Sequence, residues 1–139
     1  HEWVVQEAMR LYPPAPSVDR SAAEDVTIGD LEVKQGDVVV LAIYPMHRHH
    51  KLWRDPDYFD PTRFSPERAE GRHRFQYIPF SAGTRVCIGW KFAMMEAVAI
   101  LSEILAQVRV APAQGFTPYP RARITLRPQD GMRLQVMAR

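Results

Sequence analysis

The one thiol in the chain carries its clearest chemical signal. Cys87 lies in Pro79-Phe80-Ser81-Ala82-Gly83-Thr84-Arg85-Val86-Cys87-Ile88-Gly89. The skeleton is F-x-x-G-x-R-x-C-x-G. From the composition of this chain, those five residues at that spacing arise by chance in about 10⁻⁵ of such sequences. Gly83 and Gly89 flank the cysteine and let the backbone turn tightly and approach a flat ligand. A long helix is predicted to start just after it, and free amides at a helix N-terminus favour negative charge on the sulfur. Arg85, two residues away, adds positive charge. A sulfur so placed is a nucleophile or a metal ligand. The local chemistry leaves equally open a buried, inert cysteine, the commonest fate of a lone Cys.

Two further constellations are weaker. Glu7-Ala8-Met9-Arg10 is E-x-x-R on a predicted helix. With 8 Glu and 15 Arg in the chain, about 0.9 such pairs arise by chance, and the plain reading is an exposed i, i+3 pair. His47, His49, His50 and His73 offer metal ligands, but no cysteine or carboxylate stands at zinc spacing around them.

The elements that must position these residues can be read from periodicity. Val4, Val5, Ala8, Met9 and Leu11 share one helical face, and Tyr12-Pro13-Pro14 stops that helix. It opens without an N-cap, which predicts the C-terminal piece of a longer protein. Ala15–Asp25 reads as an extended polar connection. Val26–Ile28 and Leu31–Val33 flank Gly29-Asp30 as a hairpin. Val38–Tyr44 reads as a strand buried on both faces, and His47–Asp55 as a short set of helical turns. Asp55-Pro56, Asp60-Pro61 and Ser65-Pro66 punctuate an irregular stretch reaching Pro79, a length that points to function. Gly89–Val108 is the strongest helix, with Phe92, Met95, Ala99, Ile100 and Ile104 as its apolar stripe. Ile124–Leu126 and Met132–Val136 around Asp130-Gly131 read as a closing hairpin.

Composition bounds the rest. The 139 residues are 46% hydrophobic and 24% charged, which excludes a wholly disordered chain. Eighteen basic residues against sixteen acidic ones are too even for a nucleic-acid binder. One cysteine excludes an internal disulfide. The longest unbroken apolar run, Val38–Tyr44, is far short of a membrane span.

With these residues in hand, the cysteine loop resembles the haem-binding loop of the cytochrome P-450 superfamily, matching all five skeleton positions. Glu7 and Arg10, followed by Leu11-Tyr12-Pro13-Pro14-Ala15-Pro16, resemble the end of that family's ExxR helix. Pro61-Thr62-Arg63-Phe64 matches its P-x-R-F element. The resemblance implies a mainly α fold with small β-sheets. In order these are helix, β-hairpin and strand, irregular meander, Cys-ligand loop, long helix and terminal β-hairpin. Residues 1–139 would be the C-terminal haem-binding portion of one larger catalytic domain.

The same resemblance implies the site. Cys87 is the proximal thiolate ligand of haem iron, and the cofactor is haem b. Pro79, Phe80 and Ser81 line the cofactor, with Phe80 beside the sulfur excluding water. Amides of Ile88 and Gly89 tune the sulfur, and Arg85 and Arg20 pair with haem propionates. Ala93 lies flat against the porphyrin. Glu7, Arg10 and Arg63 form a buried structural triad. One carboxylate cannot neutralise two guanidiniums, so carbonyl oxygens must take the remaining N–H donors.

The implied activity is a monooxygenase. It would insert one oxygen atom of O₂ into a small, hydrophobic organic substrate, with electrons drawn indirectly from NAD(P)H through a ferredoxin or flavoprotein reductase. That partner would meet a basic proximal face near Arg54, Arg72, Arg74, Trp90 and Lys91. The distal helix that delivers protons to oxygen has no counterpart here, so these residues alone are expected to be inactive. A haem-thiolate isomerase or peroxygenase of the same fold, and a non-catalytic fragment that binds no haem alone, are the alternatives. The arginine-rich composition fits a soluble bacterial protein of the cytoplasm, and the resemblance implies that any membrane anchor lies upstream of residue 1.

Overall fold

The computed structural model describes residues 1–139. Helix α1 (Glu2–Leu11) ends as its sequence dictates: the Tyr12 amide closes on the Ala8 carbonyl and the chain exits through Pro13 and Pro14. Strand β1 (Val18–Ser21) then pairs antiparallel with β4 (Val38–Leu41), in the register Val18 opposite Leu41. Between them β2 (Val26–Ile28) and β3 (Leu31–Val33) form the predicted hairpin, turned by Gly29 at φ +60°.

The extended connection Ala15–Asp25 thus contains a strand that its polar sequence concealed. Asp19 and Arg20 contribute backbone to the ladder while their side chains face out. Val38–Tyr44 also differs from expectation. Only Val38–Leu41 is strand, it has a single partner, and it is largely exposed rather than buried on both faces. Pro45 has no amide to give a ladder, and Ile43–Met46 turns instead into the short helix α2.

The meander between α2 and the cysteine loop holds little regular structure. A 3₁₀ turn spans Pro61–Phe64, capped by the Asp60 carboxylate accepting from the Thr62 amide. Helix α3 (Pro66–Ala69) follows, capped by Ser65. Both start at proline, whose missing N–H costs nothing at a first helical position.

Helix α4 (Trp90–Gln107) matches the predicted long helix. Its expected apolar stripe does not pack: Phe92, Met95, Ile100 and Ile104 are all exposed. Ala93, Met94, Ala97, Val98, Leu101, Ser102 and Leu105 are the half-buried positions. A helix apolar on nearly every face is built to be surrounded, and α1 covers one side only.

The closing hairpin is corrected. The Asp130-Gly131 turn forms, with Gly131 at φ +74°, but it joins strands of different sheets. Strand β7 (Leu126–Pro128) pairs with β6 (Pro120–Ala122), and β8 (Leu134–Ala138) pairs with β5 (Val108–Pro112). All four sheets are two-stranded and antiparallel, an arrangement that is marginal without packing on one face.

Only 13 of 139 residues are buried, and most of them lie where α1 meets the meander. Leu11, Ile43, Trp53, Phe64 and Ile78 are the apolar part. Trp53, Phe64, Tyr77 and His47 interlock there, with Phe64 and Tyr77 edge to face at 4.8 Å. The order of this chain is concentrated in the segment that leads into the cysteine loop.

Candidate functional site

The site has an interior part and a displayed part. The interior part is built on α1. Glu7 and Arg10, one turn apart, have no solvent exposure. Their pair is bidentate: Arg10 Nε donates to Glu7 Oε2 at 2.7 Å and Nη2 to Oε1 at 2.9 Å. Arg63 Nε reaches Glu7 Oε1 at 3.3 Å, and the Asp60 amide donates to the same oxygen at 2.8 Å.

The remaining guanidinium donors go to backbone carbonyls. Arg10 gives Nη1 to His47 O and Pro56 O and Nη2 to Tyr58 O. Arg63 gives Nη1 to Arg54 O and Nη2 to Asp55 O and Tyr58 O. Two charges of one sign and one of the other are thus buried with every guanidinium nitrogen hydrogen-bonded, which is what lets such a cluster be tolerated. Six meander carbonyls and amides are fixed by three side chains, so an otherwise irregular loop acquires one conformation. The geometry brings Glu7, Arg10 and Arg63 together.

The displayed part is the cysteine loop. Pro79 is buried and Phe80 and Ser81 are half-buried. Gly83 begins a 3₁₀ turn through Arg85 with φ +69°, a backbone state that favours glycine. The Cys87 amide then donates to Phe80 O at 2.9 Å, closing the loop, and the Trp90 amide returns to Cys87 O at 3.3 Å. Cys87 is a free, exposed thiol. Within this chain the thiol is thus exposed rather than buried.

Gly89 differs from expectation. Its φ of −86° suits any residue, and a Cβ there would touch Cys87 Sγ at an ordinary 3.9 Å. Neither its backbone nor that contact calls for a glycine within this chain. Around the thiol the loop exposes Val86, Ile88 and Phe92, with Ile88 fully exposed. Ala93, half-buried, bonds back to Gly89 O.

Arg20, on β1, is brought to this loop: its Nη2 donates to Ser81 Oγ at 3.2 Å. Ser81 itself has φ +64°, unusual for a residue with a Cβ. Arg85 is exposed and bonds to no other side chain. A free soft donor, an exposed apolar surface and two guanidiniums suit a flat apolar group bearing a metal and anionic edges.

The basic residues expected to share one face are divided. Arg72 is half-buried, its guanidinium lying over Trp53 at 4.9 Å and Phe64 at 4.8 Å, with Nη2 on Arg63 O. Burial lowers its pKa. It belongs to the packing of the meander. Arg54 is exposed beside Asp55, Arg74 lies over Phe75, and Lys91 over Trp90. Arg54 and Arg72 line one polar cavity of about 280 Å³ with Arg63 and Arg68, whereas Trp90 and Lys91 line another of about 360 Å³ against α1.

Two residues escaped the sequence reading, and a third, His47, has a different place from the one its grouping implied. Asp60 is held down to a pKa of about 2 by the Thr62 hydroxyl and Arg68. Tyr77 donates its hydroxyl to Gln6 O, and burial, with Glu7 second, raises its pKa. His47, grouped in the sequence with exposed histidines, is instead fully buried, accepting the Ile78 amide at Nε2 at 2.9 Å. Burial and then the Arg10 charge push its pKa down to about 4. No periodicity separates His47 from His49 and His50, whose exposed rings stack at 4.9 Å.

Residues 1–136 match the family model described as Cytochrome P450. The chain is 37% identical to cytochrome P450 4c3 of Drosophila melanogaster over 139 residues, which is 99% of this chain and 26% of that protein. It is 40% identical to cytochrome P450 4B1 of Rattus norvegicus over 94% of this chain and 26% of that one. The fold superimposes on the crystal structure of the cytochrome P450DA heme domain with a TM-score of 0.92 at 32% identity, covering 99% of this chain and 30% of that one. It superimposes equally, at 28% identity, on a retinoic acid-bound cyanobacterial CYP120A1, covering 99% and 32%. The chain spans about a quarter of the length of the curated relatives it matches.

Proposed function

The chain belongs to the cytochrome P450 family, and from that premise we propose that it is the proximal, haem-holding part of a haem-thiolate monooxygenase. Residues 1–139 would be one portion of a larger catalytic domain. The observation that carries this is Cys87. Its thiol is exposed and free, in a loop that is closed by its own amide on Phe80 O, carries Arg85 and holds Arg20 through Ser81.

The residues present fit haem b. Cys87 Sγ would hold the haem iron, since a soft thiolate suits iron in this class of site. The Ile88 and Gly89 amides stand outside the helix ladder and are free to donate to the sulfur. Phe80, after the buried Pro79, would shield the sulfur from water once haem is bound. Arg20 and Arg85 take the propionates as charge-assisted donors, Arg20 also staying hooked to Ser81. Ala93 leaves the first turn of α4 flat.

When bound, the haem supplies an iron centre that activates O₂ with electrons delivered from outside the protein. The Cys87 thiolate would donate electron density to that iron. Glu7, Arg10 and Arg63 hold the meander that aims the loop. The substrate is a small apolar organic molecule and the electron donor a separate redox protein. The exposed stripe of α4 and the bare faces of β4 are surfaces that the rest of the domain would cover. No helix of the chain is long and apolar enough to cross a membrane.

The test is the visible spectrum of the full-length protein, reduced and exposed to CO, beside Cys87→Ser. A strongly red-shifted Soret band that depends on Cys87 supports the reading. Haem bound with no such band in either protein overturns it. Oxygenation of an apolar substrate dependent on O₂ and a redox partner separates a monooxygenase from a peroxide-using enzyme of the same fold.

A further inference from the structure

We propose that His47 is a positioning residue that carries the order of the Glu7–Arg10 cluster to the cysteine loop, by accepting the Ile78 amide on its ring. The role rests on the haem-thiolate reading for its purpose and on geometry for its existence.

The geometry is a continuous path. Arg10 Nη1, fixed by the Glu7 pair, donates to the His47 carbonyl at 2.8 Å. The His47 ring, from the same residue, accepts the Ile78 amide at 2.9 Å. The Ile78 carbonyl takes the Ser81 amide at 3.0 Å, and two residues beyond Ile78 the Phe80 carbonyl takes the Cys87 amide at 2.9 Å. One residue therefore joins the charge cluster through its backbone and the loop through its side chain.

The ring has no freedom to do otherwise. It stacks on Tyr77 at 5.3 Å, meets the edge of Trp53, and is fully buried. Accepting at Nε2 puts the proton on Nδ1. That nitrogen lies near the Met9 and Arg10 carbonyls but meets neither in hydrogen-bonding geometry. A buried aromatic needed only for volume would be phenylalanine, which leaves no unmet donor. The retained cost at Nδ1 is explained by what Nε2 does. Ile78 precedes Pro79, which has no amide of its own, so the Ile78 N–H is the last backbone donor before the loop.

The test uses the full-length protein with His47→Phe, which keeps the stack and removes the acceptor, and His47→Gln, whose amide oxygen can take the Ile78 N–H. Amide hydrogen exchange at Ile78 and Cys87 is read with the Soret band of the reduced CO complex. In His47→Phe both amides should exchange faster by about tenfold or more, the value of one lost hydrogen bond, and part of the carbonyl complex should lose its thiolate position. His47→Gln should restore both.

Unchanged exchange and spectrum in His47→Phe overturn the proposal. So does equal damage in both variants, which would make the ring's shape the requirement. If His47→Phe fails to fold, recovery by His47→Gln supports the role and its absence overturns it. If the unaltered protein shows no thiolate band, the haem reading falls, while exchange at the two amides still decides the link.

Discussion

The Glu7–Arg10–Arg63 cluster and the Cys87 loop are held in opposite ways. The cluster is buried, uses every guanidinium nitrogen, and ties three distant stretches of chain together. The loop is exposed and is kept in shape by a few backbone bonds and one long contact from Arg20. Charge is therefore hidden where it orders the fold, and the reactive atom is shown where it contributes least to stability. Changes on the two sides should divide accordingly, and stability measurements on the full-length protein can break that division.

The largest effect belongs to Glu7→Gln. It leaves two guanidiniums buried with no counter-charge, a loss of about 3–5 kcal/mol. Urea unfolding beside the exposed Glu96→Gln reads it directly. Equal midpoints for the two variants would mean that the cluster does not hold the meander.

The next effect is a pH dependence. His47 has a pKa of about 4 when folded, against its ordinary 6.5, because of burial and then the Arg10 charge. Around it stand Arg10 with its partner Glu7 on α1 and, against the ring, the Tyr77 phenol. Above pH 6.5 the imidazole is neutral in both states and its contribution is constant. Between 6.5 and 4 the unfolded chain binds the proton and the folded one does not, so stability falls as pH falls. The total is about 3 kcal/mol at most. Urea midpoints across this window should flatten in His47→Gln relative to the unaltered protein. Parallel curves would show that the ring does not stay neutral in the fold.

The same contrast governs what could be read from the sequence. Rules acting within a few residues were legible: α1 and its proline stop, the Gly29 hairpin, the start of α4 and the cysteine skeleton. The triad was named through a family pattern, since E-x-x-R alone carries almost no information. What sequence missed depends on distant partners. β1 is strand only because Val38–Leu41 lies opposite it, and β7 and β8 look like one hairpin until β6 and β5 claim them. The apolar stripe of α4 was correctly apolar but has no partner within the chain. His47 differs from His49 only in being enclosed by Trp53 and Tyr77, which no local pattern records.

A smaller effect comes from within the loop. Gly83→Ala places a Cβ at φ +69° with nothing within 4 Å. The cost is backbone strain alone, about 1 kcal/mol. Gly89→Ala has no such strain and should be milder in urea, although its new Cβ faces Sγ. A larger loss at Gly89 would show that the space beside the sulfur, not the turn, limits the loop.

The smallest change in stability is expected at the residue with the most chemistry. Cys87→Ser replaces an exposed thiol that forms no bond to another side chain. Its amide bond to Phe80 O is backbone and survives the substitution. The stability of the haem-free protein should move by no more than about 0.5 kcal/mol, while the thiolate Soret band disappears. If the haem-free protein instead loses several kcal/mol, the sulfur is part of the packing and the separation of order from reactivity fails. If stability is unchanged with haem bound as well, the iron–sulfur bond adds nothing to the fold. The loop would then be held entirely from the side of Glu7 and His47.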